Sequence, residues 1–137
     1  METRVPKLIE QILSATWFGY LARIVLTFMF WGSGLAKLID FNSGVAEMAQ
    51  FGLNPPAAFN VATLIVQLAG SLLIIFRTWT WLGAGALAVF TALTIPIAHA
   101  FWTMQEPMKT IEFHIVTEHI TVIGALMVVA YASVRKS

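Results

Sequence analysis

Two long stretches of this chain, Ala57 to Phe76 and Thr78 to Gln105, contain no Asp, Glu, Lys or Arg. Two others come close: Trp17 to Ala36 carries only Arg23, and Phe113 to Val134 carries only Glu118 together with His114 and His119. A bilayer core about 30 Å thick needs roughly 20 apolar residues as helix. In lipid a helix pairs its own backbone groups, which a short open sheet cannot do. The pattern therefore predicts an all-α integral membrane four-helix bundle, with spans at about 17–38, 57–76, 79–101 and 111–134, and a single transmembrane domain over 1–137. Charged residues are only 11% of the chain, against roughly 25% in soluble domains, so a water-facing surface is out of reach.

The chain has no cysteine, which excludes disulfides, thiolate-ligated metals and thiol redox chemistry. A formal charge of +1 with no basic patch gives no footprint for nucleic acid. The first apolar stretch is too long for a signal-peptide core and is interrupted by Arg23, so the expectation is that it is retained.

Outside the spans, residues 6–15 place Leu8, Ile9, Ile12 and Leu13 on one helical face and Lys7, Glu10, Gln11 and Ser14 on the other, as in interfacial helices. Residues 44–51 read as a short surface helix in the first outer loop, after the turn-rich Asp40 to Gly44. Pro96 predicts a kink in the third span. With four spans, both termini and the Arg77 turn share one side, which holds Arg4, Lys7, Arg77, Arg135 and Lys136. The other side holds only Lys37 and Lys109. The positive-inside rule then puts both termini in the cytoplasm.

Helical spacing arranges the polar residues in stripes. Arg23, Thr27, Gly34 and Lys37 share one on the first span. Asn60, Thr63, Gln67, Gly70 and Ser71 share another on the second, and His114, Thr117, Glu118, Thr121 and Ala125 a third on the fourth. The expectation is that all three face the bundle interior, with Gly34, Gly70, Gly85, Ala88 and Ala92 allowing close approach. Arg23 and Glu118 are opposite charges within spans and either pair across the bundle or leave Arg23 snorkelling to the cytoplasmic interface. His99 and His114 flank the last loop at similar depth, with His119 deeper. With Glu118 they are candidates to exchange protons with a quinone headgroup, or to ligate a haem or a metal ion. The spacing His114 to His119 matches no zinc-protease motif. Trp17, Trp31, Trp79, Trp81 and Trp102 read as interfacial anchors, with Trp102, beside His99, also a candidate to flank a site.

These residues resemble the DoxX family of small bacterial membrane proteins, from about Leu21 to Ala130. Leu21-Ala22-Arg23-Ile24 with Trp31-Gly32-Ser33-Gly34-Leu35-Ala36-Lys37-Leu38 looks like the family's first helix. Met48 to Pro55 resembles its loop, Val66-Gln67-Leu68-Ala69-Gly70 its second helix, His99-Ala100-Phe101-Trp102 the end of its third, and Ile123-Gly124-Ala125-Leu126 its last. The chain departs from the pattern where Gln67 replaces a common Glu and Glu118-His119 replaces a common Lys-Asn. The resemblance implies a multi-pass protein of the bacterial inner membrane, working with an oxidoreductase partner subunit on quinone. In that reading Arg23, His99, His114 and Glu118 carry the chemistry, and Lys37, Gln67, Trp102 and His119 help hold the ligand. A membrane scaffold or chaperone, and a small transporter or channel formed as a homo-oligomer, are the alternatives.

Overall fold

The structure is a computed structural model in which residues 4–135 are described; Lys136, counted above in the charge asymmetry, lies outside them. The described residues form helices and connecting turns: α1 Lys7–Leu13, α2 Thr16–Ile39, α3 Phe41–Gln50, α4 Pro56–Ile75, α5 Thr80–Ala98, a 3₁₀ turn Phe101–Thr103, and α6 Met108–Arg135. Four of these helices (α2, α4, α5 with its following turn, and α6) are long and apolar enough to cross a membrane. The chain is a multi-pass membrane protein.

The distribution of side chains is inside-out relative to a soluble protein. Polar Thr27, Asn60, Ser71 and Thr91 are fully buried, while Val25, Val89, Met127 and Val128 are more than 60% exposed. In lipid this costs nothing, because apolar surface is already in an apolar solvent, and polar groups gain by turning toward each other. The buried hydroxyls bond their own helices: Thr27 to the Arg23 carbonyl at 2.7 Å, Ser71 to that of Gln67 at 2.6 Å, and Thr91 to that of Leu87 at 2.7 Å.

Helices α2, α4, α5 and α6 pack in sequence, each on the next. Small residues set the spacing. A Cβ on Gly34 would come within 2.8 Å of Leu68, and one on Gly83 within 2.7 Å of the Gly70 carbonyl oxygen, so α4 touches α2 and α5 nearly backbone to backbone. Gly85, by contrast, faces open space and Ala92 is exposed; the close approach runs through Gly70 and Gly83 instead. The α4–α5 turn is closed by two left-handed residues, Arg77 (φ 60°) and Trp79 (φ 55°). A core of Phe30, Ile74, Ala84, Leu87 and Leu126 joins all four spans.

At the other end, α3 lies across the bundle. Asp40 caps it, accepting from the Ser43 N–H at 3.2 Å and the Ser43 hydroxyl at 2.7 Å. Asn60 Nδ2 donates to the Phe41 carbonyl at 3.4 Å, and the Lys37 ammonium lies 3.7 Å from Glu47. Helix α1 buries none of its residues, leaving Leu8, Ile9, Ile12 and Leu13 uncovered by the bundle.

The expected elements are all present, with three changes. Within the third span helix α5 stops at Ala98, two residues after Pro96, and the span continues as the 3₁₀ turn, so the expected kink is a break in the helix. Trp31 lies mid-span, with its indole N–H on the Ile24 carbonyl at 3.0 Å, and is no interfacial anchor. The fourth-span stripe does not face inward: His114, Thr117, Glu118 and Thr121 are all exposed. The interior face of α6 is Glu112, Val116, His119 and Leu126, one to two residues round the helix.

Candidate functional site

Beneath α3 the bundle opens into a cavity of about 390 Å³. Its walls are mostly apolar, with Phe30, Met48, Phe51 and Phe90 among them; its polar groups are few and come from every layer. Ser33 and Lys37 come from α2, Glu47 from α3, Thr63 and Gln67 from α4, and His99 and His119 close the far side. A cavity of this size with convergent polar groups is the usual form of a small-molecule site. Met29, Leu93 and Ile97 line it and are also 41%, 55% and 45% exposed, so it opens sideways onto the lipid-facing surface.

Two polar features are held ready in those walls. Gln67 is 5% exposed, and its side-chain oxygen has no hydrogen-bond partner. An unmet buried acceptor is costly, at about 1–3 kcal/mol. Carboxamides can present either oxygen or NH2 to a ligand. The second feature is a His–carboxylate pair. His99, just past the end of α5, lies with Nδ1 2.6 Å from Glu112 Oε2 on the second turn of α6. The His119 ring stands edge-on to that of His99, with centroids 4.8 Å apart. Glu112 and His119 are seven residues apart and therefore share a face. On the rim, the Lys37 ammonium donates to the Ser33 hydroxyl at 3.0 Å.

Of the eight residues singled out from the sequence, Lys37, Gln67, His99 and His119 line this cavity, and Arg23, Trp102, His114 and Glu118 do not. Arg23 reaches toward the opposite end of the bundle. Its Nη1 donates to the Ile74 carbonyl at 2.6 Å and to the Thr80 hydroxyl at 3.2 Å, across the α4–α5 turn. The last carbonyls of a helix lack intrahelical donors and carry the negative end of its dipole, so a guanidinium is well matched there. Of the two readings open for Arg23, the pair with Glu118 is not formed among the described residues, because Glu118 points away from the bundle. Trp102 is 55% exposed on the 3₁₀ turn. Glu112 is the residue that sequence reasoning missed. Its signal was the seven-residue spacing to His119, which competed with the more conspicuous His114 and Glu118.

The rings of His99 and His119 are too close for a porphyrin plane to lie between them, so the pair does not fit a bis-histidine haem. No group of three His, Cys, Asp or Glu side chains among the described residues is placed to hold a metal ion.

Fold and cavity together define a class: a small helical membrane protein with a laterally open, mostly apolar site at one end. The family model for DoxX matches residues 19–100, and the chain belongs to the DoxX family. That match takes in Arg23, Lys37, Gln67 and His99 and ends before α6. No curated protein and no solved structure matches the chain.

Proposed function

We propose that this chain is a membrane subunit of a quinone-linked oxidoreductase system, and that the cavity beneath α3 receives the quinone headgroup. The observation that carries this reading is the buried, partnerless oxygen of Gln67 in an apolar cavity that opens sideways and has in its far wall His99, which is paired with Glu112. A ligand arriving from the bilayer is itself lipid-soluble, and its polar end needs one or two convergent hydrogen-bonding groups. Quinone supplies reversible two-electron, two-proton chemistry when bound.

The chain's own groups handle binding and protons. Gln67 accepts from a hydroxyl or, turned over, donates to a carbonyl. In the tautomer with its proton on Nδ1, His99 donates to Glu112 and its Nε2 is the free acceptor. A proton taken up at Nε2 makes an imidazolium that the adjacent carboxylate stabilises, the orienting role a carboxylate plays beside a catalytic histidine. Lys37 and Glu47 form the polar rim. In this reading electrons enter or leave through a partner subunit. In the same reading the α3 end faces out of a bacterial inner membrane and the termini face in, which the asymmetry of Lys and Arg supports.

The test is binding of a short-chain quinol to purified protein in nanodiscs, with Gln67→Leu and His99→Phe. Gln67→Leu is expected to weaken binding about tenfold, as for one lost buried hydrogen bond. His99→Phe is expected to abolish the quinone-reducing activity that the wild type restores to membranes lacking it. Unchanged affinity and activity in both variants would overturn the proposal.

A further inference from the structure

Helix α6 shows a second polar face that the cavity does not use. His114 and Glu118 are exposed on it, and neither side chain has a hydrogen-bond or ion-pair partner among the described residues. The hydroxyls between them are satisfied on their own helix: Thr117 donates to the His114 carbonyl at 2.7 Å and Thr121 to that of Thr117 at 3.1 Å. Helix α6 has 28 residues and is about 42 Å long at 1.5 Å per residue. Centred on a hydrocarbon layer of about 30 Å, it carries Glu118 about 9 Å below the surface of that layer. An ionisable side chain at that depth turns to a protein partner or a water-filled space. Around it the surface is lipid-facing, with Ile120, Met127 and Val128 all more than half exposed.

We propose that this face of α6 packs against the same face of a second copy of the chain. The stripe is complementary to itself. It carries one imidazole and one carboxylate a single helical turn apart. In a two-fold pair of parallel helices residue i meets j and j meets i. Each residue stands level with its own copy, so His114 reaches diagonally, about 6 Å along the axis, to Glu118 of the other copy, giving two identical pairs. Thr117 and Thr121 are small, and Gly124, one heptad beyond Thr117, has open space where a Cβ would stand. Small residues beside interhelical hydrogen bonds are what close packing in lipid requires. His119 and Glu112 are on a different face, so the pairing leaves the cavity free.

The absence of native cysteine makes a clean test. Thr121→Cys is expected to cross-link to a dimer under mild oxidation, both in the expressing membrane and in proteoliposomes of purified protein. Val25→Cys, on the lipid-facing side of α2 at 63% exposure, is the control and is expected to stay monomeric. On the Thr121→Cys background, Glu118→His is expected to weaken dimerisation about tenfold. Adding His114→Glu, which exchanges the two residues, is expected to restore it. Helical circular dichroism and elution like the parent confirm that each variant is folded. Cross-linking no stronger than the Val25→Cys control would overturn the proposal. So would cross-links only to a different protein, which would assign the face to that partner, or a dimer indifferent to both charge variants.

Discussion

Arg23 ties three helices at the α4–α5 turn, and removing its guanidinium tests whether that is its role. Arg23→Met keeps the stem and deletes the donors to the Ile74 carbonyl (2.6 Å) and the Thr80 hydroxyl (3.2 Å). The Ile74 carbonyl keeps the backbone N–H of Arg77 at 3.2 Å, so it is not stranded, and the loss is that of charge-assisted bonds, about 1.5–3 kcal/mol. Relief of the cost of holding a charge in the membrane offsets part of this, which leaves about 2 kcal/mol at most. A double-mutant cycle separates the terms. Arg23→Met with Thr80→Val should show coupling of about 0.5–1.5 kcal/mol, as expected for groups in direct contact. Arg23→Met with Glu118→Gln should be additive within about 0.5 kcal/mol, as for groups without shared partners. The assay is equilibrium unfolding in mixed micelles followed by tryptophan fluorescence, at a dilution where the protein is monomeric. Coupling to Glu118 above that limit, or none to Thr80, would refute the assignment.

Gly83→Ala should destabilise by about 1–3 kcal/mol, because its Cβ would meet the Gly70 carbonyl at 2.7 Å and Leu73 at 2.9 Å. Gly85→Ala, two residues on in open space, should be neutral or stabilising by up to about 1 kcal/mol in the same unfolding assay. Gln67→Leu should leave the free protein as stable as the wild type or more so, since it removes a partnerless buried oxygen, while quinol binding falls; lower stability with unchanged binding would contradict both halves. The Asp40 carboxyl, outside the spans, is held below the usual carboxylate range by the Ser43 hydroxyl first and the Ser43 N–H second. A carboxyl with a lowered folded pKa stabilises at pH above its unfolded value, about 3.9, and loses that contribution as pH falls through the folded value. Protection factors across α3, with exchange rates divided by their intrinsic values at each pH, should therefore fall only below about pH 4, and Asp40→Asn should flatten that acid limb.

The spans were legible because the apolar runs are long, carry at most one Asp, Glu, Lys or Arg each (Arg23 in the first, Glu118 in the last), and are separated by Lys37 to Pro56, Arg77 and Gln105 to Glu112. The interior stripes of α2 and α4 were legible for a related reason: each helix has one polar face, and lipid covers the other. Helix α6 defeated the same logic because it has two. Glu112 and His119 lie on one, His114 and Glu118 on the other, and periodicity alone does not say which faces α5. Proximity decided it, since His99 at the end of α5 meets Glu112 near the start of α6. Arg23 was ambiguous for want of a partner in the spans. Its acceptors are a backbone carbonyl and a threonine hydroxyl, neither of which a charge pattern reveals.

The two ends of the bundle differ in how firmly they are joined, and the site lies at the looser one. At the Arg77 end, Arg23 bridges to α4 and α5, Gly70 and Gly83 bring those helices into near-backbone contact, and Ile74 and Ala84 are sealed in the core. At the α3 end, α3 is held by one long Asn60 bond, the close seating of Gly44 on the Asn60 side chain, the Lys37–Glu47 pair and the buried side of Met48. A ligand entering sideways past Met29 and Leu93 needs room there and nowhere else. Low local stability at a binding site and high stability away from it is the division expected of a protein that must open without unfolding. The two faces of α6 extend it sideways: a second copy resting on His114 and Glu118 would brace the helix from outside while His119 lines the cavity and Glu112 stays on His99.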